Sequence, residues 1–221
     1  MNYLQLCQAV RSRIGMHGSG PSTVVSPTDV EKDIVDAVYD AWIDIQNYRD
    51  EWDWMRATES FSLAAGTVNY TKTTVGGPSN RISKFIPDSL WLLKDSKYSF
   101  LRYLDYEHFD HLHKNDTENV VPYEYSFKPW DGSISITRPD SVYTVYVDYF
   151  KTPQKLSANT DTPELPERFH NLIIYLAIEK LGASIASPSQ AMEYAQTYAE
   201  TMGQLMRHQL PKKSVRIRGI A

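Results

Sequence analysis

The densest cluster of side chains able to do chemistry is Glu107, His108, Asp110, His111 and His113. Imidazole and carboxylate are donors that a divalent metal takes, and on a helix His108 and His111 share a face at three-residue spacing. The cluster has no His-Glu-x-x-His pattern, and nothing in the spacing supplies a third ligand. It reads as a solvated connector. His170, directly after Phe169 in a helical stretch, reads as a packed histidine rather than one that orients a carboxylate. No Gly-x-Ser-x-Gly elbow occurs, and no nucleophile stands beside a base. Gly15, Gly18 and Gly20 follow no strand and do not form a phosphate-binding fingerprint. Paired carboxylates for sugar hydrolysis are defined by a separation that a sequence does not show. The expectation is therefore no catalytic residue, no cofactor and no metal site.

Charge is more informative. The 221 residues carry a net charge of −4, but Lys212 to Ala221 hold two Lys and two Arg with no acid, which leaves −8 on the rest. Between residues 29 and 53, nine acids face only Lys32 and Arg49. Such a body does not attract nucleic acid nonspecifically, because phosphate contacts need Lys and Arg. On a helix Asp29, Asp33, Asp36, Asp40 and Asp44 step by four, three, four and four, which makes a ridge beside the apolar stripe. Two readings of that ridge stand: a solvated face, or a charged seam. The seam would face a neighbouring subunit's Arg, or line a channel whose negative wall keeps DNA from sticking. The tail Lys212, Lys213, Ser214, Val215, Arg216, Ile217, Arg218 alternates basic or polar residues with apolar ones. That suits either a frayed end or a strand that adds to a partner's sheet edge.

The elements that must position these residues follow from periodicity. Residues 2–14 read as a short amphipathic helix on Leu4, Leu6, Cys7, Val10 and Ile14. Ser26-Pro27-Thr28-Asp29 reads as a capped start for a long helix whose apolar stripe is Val30, Ile34, Val38, Ala41, Ile45, Tyr48 and Trp52. From Arg56 the period becomes that of strands, at 58–63, 68–71, 82–86, 90–93 and 98–103, followed by a short helix at 105–114. Strands at 123–127, 134–137 and 142–150 then read as an antiparallel meander, with turns at Asp131-Gly132 and Pro139-Asp140. Pro153 and Pro163 frame a polar linker. A helix opens at Pro166, and Ser187-Pro188-Ser189-Gln190 caps a last helix that ends before Pro211.

The predicted fold class is α+β, a helical bundle of the N- and C-terminal helices with an inserted antiparallel β domain. Its parts are a helical segment at 1–55, the β insertion at 56–152, a second helical segment at 153–210 and an extended basic tail at 211–221. Most of the fifteen Tyr and five Trp read as ordinary sheet faces, and such residues are favoured in interfaces as well. The lone Cys7 excludes an intrachain disulfide and a cysteine zinc site. The N-terminus lacks a signal-peptide pattern and no apolar run reaches the ~18–20 residues that span a bilayer, so synthesis in the cytoplasm and no membrane partner are expected.

Several phrases carry a resemblance. Tyr3-Leu4-Gln5-Leu6-Cys7, Ala41-Trp42-Ile43-Asp44-Ile45-Gln46 and Trp52 with Trp54-Met55 stand in the first segment. Tyr149-Phe150-Lys151-Thr152-Pro153-Gln154, Asp161 with Pro163, Pro166 with Arg168-Phe169-His170, and Gln209-Leu210-Pro211 follow in order. Together they resemble the head-to-tail adaptor (connector, or head-completion) proteins of tailed bacteriophages across nearly the whole chain. The resemblance implies a virion neck protein that forms a ring, commonly a dodecamer, beneath the portal protein. It implies a C-terminal tail that reaches the portal, here Lys212 to Ala221. It also implies a next neck or tail protein as partner, and DNA that passes through the lumen without specific binding. The β insertion faces outward or toward the next tail component. A tail-side completion or baseplate ring shares the architecture, and a cell-wall glycan hydrolase carried in the virion is the enzymatic alternative.

Overall fold

A computed structural model describes residues 1–18, 20–76, 81–182 and 184–209. The chain is α+β and divides into two compact units, one of Met1–Trp54 with the described residues from Pro153 onward, the other Met55–Thr152.

The first unit is helical. Helix α1 (Tyr3–Arg13) is capped by Asn2, whose side chain accepts from the Gln5 N–H while the Gln5 side chain accepts from the Asn2 N–H. Helix α2 (Asp29–Asn47) begins later than Ser26 suggests. Its N-cap is Thr28 with no side-chain cap bond, and Ser26 has a left-handed φ of 54° that takes it out of the cap. The buried stripe keeps the expected Ile34, Val38, Ala41 and Ile45 and is widened by Val35, Ala37, Trp42 and Gln46. Val30 and Tyr48, expected on the stripe, are exposed at the two ends of the helix. Two helices close the unit, α5 (His170–Leu181), entered through a 3-10 turn at Glu167–Phe169, and α6 (Pro188–Gln209).

Helix α5 is the centre. It packs against α1, α2 and α6 and buries Leu172, Ile173, Ile174, Ala177, Ile178 and Leu181, while Glu179 and Lys180 near its C-terminal end stay exposed. The Ser187 cap of α6 forms as expected, with the Gln190 side chain accepting from the Ser187 N–H and the Ser187 hydroxyl accepting from the Gln190 N–H. The stretch framed by Pro153 and Pro163 is not a plain polar linker. It buries Leu156, and the Asp161 carboxylate accepts from the N–H groups of Ser157 and Ala158.

Among the described residues the second unit holds nine strands: β1 (Arg56–Leu63), β2 (Asn69–Tyr70), β3 (Ile82–Phe85), β4 (Trp91–Lys94), β5 (Lys97–Phe100), β6 (Arg102–Tyr103), β7 (Glu124–Phe127), β8 (Ile134–Ile136) and β9 (Tyr143–Lys151). It also contains helices α3 (Lys72–Gly76) and α4 (Tyr106–His113). One sheet has the order β1-β9-β4-β5, with β3 also paired to β9, and the other has the order β2-β8-β7-β6. Strand β9 buries Tyr143, Val145, Val147 and Tyr149, as its alternation predicts.

The expected meander is corrected. β7 and β8 pair, with Asp131 and Gly132 in their turn, but β9 leaves them for the other sheet, where it pairs antiparallel with β1 along its length. The β unit is not purely antiparallel either, because β6 runs parallel to β7. Phe61, Leu92, Val145 and Val147 from the first sheet meet Tyr70, Tyr125, Ile134 and Ile136 from the second in one apolar core.

Candidate functional site

The burial of one side of α2 fixes where its acids go. With Ile34, Val38, Ala41 and Ile45 fully enclosed, Asp29, Asp33, Asp36, Asp40 and Asp44 all stand exposed. Asp44 pairs with Lys180 of α5 at 2.6 Å, and Glu31 with Arg11 of α1 at 3.3 Å. Below the ridge, Tyr3 is 3% exposed and its hydroxyl donates to the Val35 carbonyl at 3.0 Å. Burial pushes that hydroxyl above its ordinary range, and Cys7, Asp36 and Asp40 add to the shift.

The tail residues Lys212, Lys213, Val215, Arg216, Ile217 and Arg218 lie outside the described residues. The point from which they depart is fixed: α6 ends at Gln209, 6% exposed, whose side-chain carbonyl accepts from the Trp54 N–H at 3.1 Å. Trp54 stacks between Trp42 and Trp52, at 5.4 and 6.2 Å between ring centroids.

The ligand-type cluster disperses on α4. His108 and His111 are exposed, and among the described residues no three His, Cys, Asp or Glu are arranged to hold a metal ion. His113 turns inward, where its two ring nitrogens meet Asp116 and Glu124, each at 2.7 Å, while Glu124 also pairs with Arg102. Burial disfavours the imidazolium, but the hydrogen bonds to the two carboxylates outweigh it and the pKa is raised. His170 is 2% exposed, with Nε2 at 2.9 Å from the Leu165 carbonyl, and burial lowers its pKa. Both histidines are structural fastenings.

Sequence reasoning missed Gln46, the buried amide at the end of α2. Its Oε1 accepts from the Gln154 N–H at 2.6 Å, its Nε2 donates to the Gln154 and Trp42 carbonyls, and its own carbonyl accepts from the Trp52 indole. A lone Gln on an apolar stripe was the available signal. The β4–β5 hairpin was missed too. Its loop is Asp95-Ser96, both with left-handed φ (49° and 61°), and Asp followed by a small polar residue between apolar runs was the cue.

The long helix thus exposes a charged ridge, while His113 and His170 are engaged in internal fastening. The family model for the SU10 adaptor protein matches residues 1–218, nearly the entire chain, and the protein belongs to that family of bacteriophage head-to-tail adaptors. The search of curated proteins found no match. An adaptor family implies a structural component of the virion that contacts portal and tail proteins. No helix among the described residues is long and apolar enough to cross a membrane.

Proposed function

We propose that this protein is a ring-forming subunit of the phage neck that joins the portal to the next tail component. Its helical unit is the ring body and its β unit an insertion into that body. Membership of the adaptor family across residues 1–218 is the observation that carries the reading. The ring, commonly twelve copies in proteins of this kind, surrounds a lumen through which DNA passes without specific binding.

The basic tail, with Lys212, Lys213, Val215, Arg216, Ile217 and Arg218, docks on the portal as an extended segment; alternation of charge and apolar side chains suits strand addition, and its +4 suits an acidic groove. The ridge Asp29, Asp33, Asp36, Asp40 and Asp44 faces a neighbouring copy or the lumen, where like charge repels phosphates. Its exposure supports this role.

Two experiments test the reading. Deletion of residues 210–221 is expected to leave the helical unit folded and to abolish binding to purified portal rings; undiminished binding contradicts tail docking. The triple substitution Asp33→Asn, Asp36→Asn and Asp40→Asn is expected to impair ring assembly or DNA passage. If both are unchanged, the ridge is only a solvated face.

A further inference from the structure

β5 and β1 are the outer strands of the first sheet. Among the described residues β5 pairs only with β4, and β1 only with β9. All four residues of β5 are exposed, with Tyr98 at 65% and Phe100 at 79%. An exposed edge presents unpaired N–H and C=O groups ready to accept another strand.

The hairpin fixes which groups those are. In a two-residue loop such as Asp95-Ser96 the flanking Lys94 and Lys97 exchange the first ladder bonds, so Leu92 and Ser99 form the next bonded pair. The Leu101 N–H, which donates to the Leu90 carbonyl at 3.1 Å, continues that alternation. Tyr98 and Phe100 are the residues between, and their main-chain groups point away from β4, toward the outer edge.

Strand direction then says what fits. The three pairings β1–β9, β9–β4 and β4–β5 are all antiparallel, so β5 runs opposite to β1. A ring operator sets each copy beside the next head to tail. If it keeps the strand direction from copy to copy, the β1 it brings beside β5 is antiparallel to it. That is the better ladder, with no strand reversed. Side chains match as well. On one face Tyr98 and Phe100 would meet the Thr58, Ser60 and Ser62 stripe of β1. Aromatic–Thr pairs are favourable cross-strand neighbours.

We infer that β5 of one copy adds to β1 of the next, joining the sheets of the β units into a continuous belt around the ring. This rests on the ring reading above and specifies a contact that the reading leaves open.

Proline at Tyr98 tests it, because it removes an edge N–H without touching the β4–β5 ladder. Full-length chain is assembled on purified portal rings and the bound copies are counted by native mass spectrometry. Wild type and Tyr98→Ala, which keeps the N–H, are expected to close rings. Tyr98→Pro is expected to need at least tenfold more protein, or to stop short of closure. Rings of Tyr98→Pro that close as readily as wild type overturn the edge contact and leave the ring reading standing. Failure of wild type to form rings overturns the ring reading itself. Hydrogen exchange on wild type is the second measurement. The amides of Tyr98 and Phe100 are expected to slow at least tenfold in the ring, and equal rates in free and assembled protein overturn the inference even if the proline variant does not fold.

Discussion

Gln46 and Gln154 hold each other by two hydrogen bonds, the Gln154 N–H donating to Gln46 Oε1 at 2.6 Å and Gln46 Nε2 donating to the Gln154 carbonyl at 3.1 Å. The side chain of one residue thereby pairs with the main chain of another 108 positions away. Gln46 lies in the last turn of α2, shortly before the chain leaves the helical unit, and Gln154 lies just after it returns. The Gln154 side chain extends the clasp, since its Oε1 accepts from the Glu164 N–H and its Nε2 donates to the Thr162 carbonyl.

Replacement of Gln46 by Leu keeps the volume and leaves the Gln154 N–H and carbonyl without their partner. A loss of about 1–3 kcal/mol in urea unfolding is expected. Gln154→Ala, which keeps the main-chain pair, is expected to cost less than Gln46→Leu. Equal losses would assign the clasp to the wrong groups.

The two buried histidines predict opposite pH responses in the two units. His170 has a lowered folded pKa, so its contribution is present above the unfolded value of about 6.5 and is lost as pH falls through the folded value. His113 has a raised one, so its contribution is complete below about 6.5 and disappears as pH rises through the folded value. Hydrogen exchange at about pH 5.5 and 8, corrected for the intrinsic rate, is expected to show α5 more protected at the higher pH and α4 at the lower. His113→Gln is expected to abolish the α4 difference. A shared direction in both helices contradicts the assignment.

Much of this was legible in the sequence, and the limits have physical causes. Strand β9 was readable because one half-buried face imposes strict alternation on Tyr143, Val145, Val147 and Tyr149. Its partners were not. Pairing with β1, some ninety residues earlier, is a long-range choice, while local turns at 131–132 and 139–140 favoured a meander. Helix α3 was invisible because five residues, Lys-Thr-Thr-Val-Gly, show no full helical period and its one core anchor is Val75. The acidic ridge was legible because the burial of Ile34, Val38 and Ala41 dictates where the intervening Asp residues point. The α2 cap was misplaced because Ser26 satisfies the composition rule while its backbone does not. The Gln46 clasp depends on a partner no local pattern encodes.

The Asp44–Lys180 pair is exposed on both sides, with side-chain accessibilities of 54% and 34%. Solvent screens such a pair, and Lys180→Ala is expected to cost less than about 1 kcal/mol. A loss of about 2 kcal/mol or more in chemical denaturation would show the ridge to be stabilising rather than a surface left for assembly.

Cys7 is fully buried on α1, and burial pushes its thiol up to about 12. Only the thiolate reacts readily, so in native protein at neutral pH the residue is expected to resist alkylation and to react fully once the chain is unfolded in urea. Rapid modification of the native state would mean that α1 detaches from α5 on that timescale.

The central claim, a ring of this chain between portal and tail, is most directly tested by an electron-microscopic reconstruction of the virion neck at side-chain resolution. The account predicts a closed ring of copies directly beneath the portal, with the final basic segment of each copy lying against a portal subunit. A neck whose density at that vertex belongs wholly to other polypeptides would contradict it.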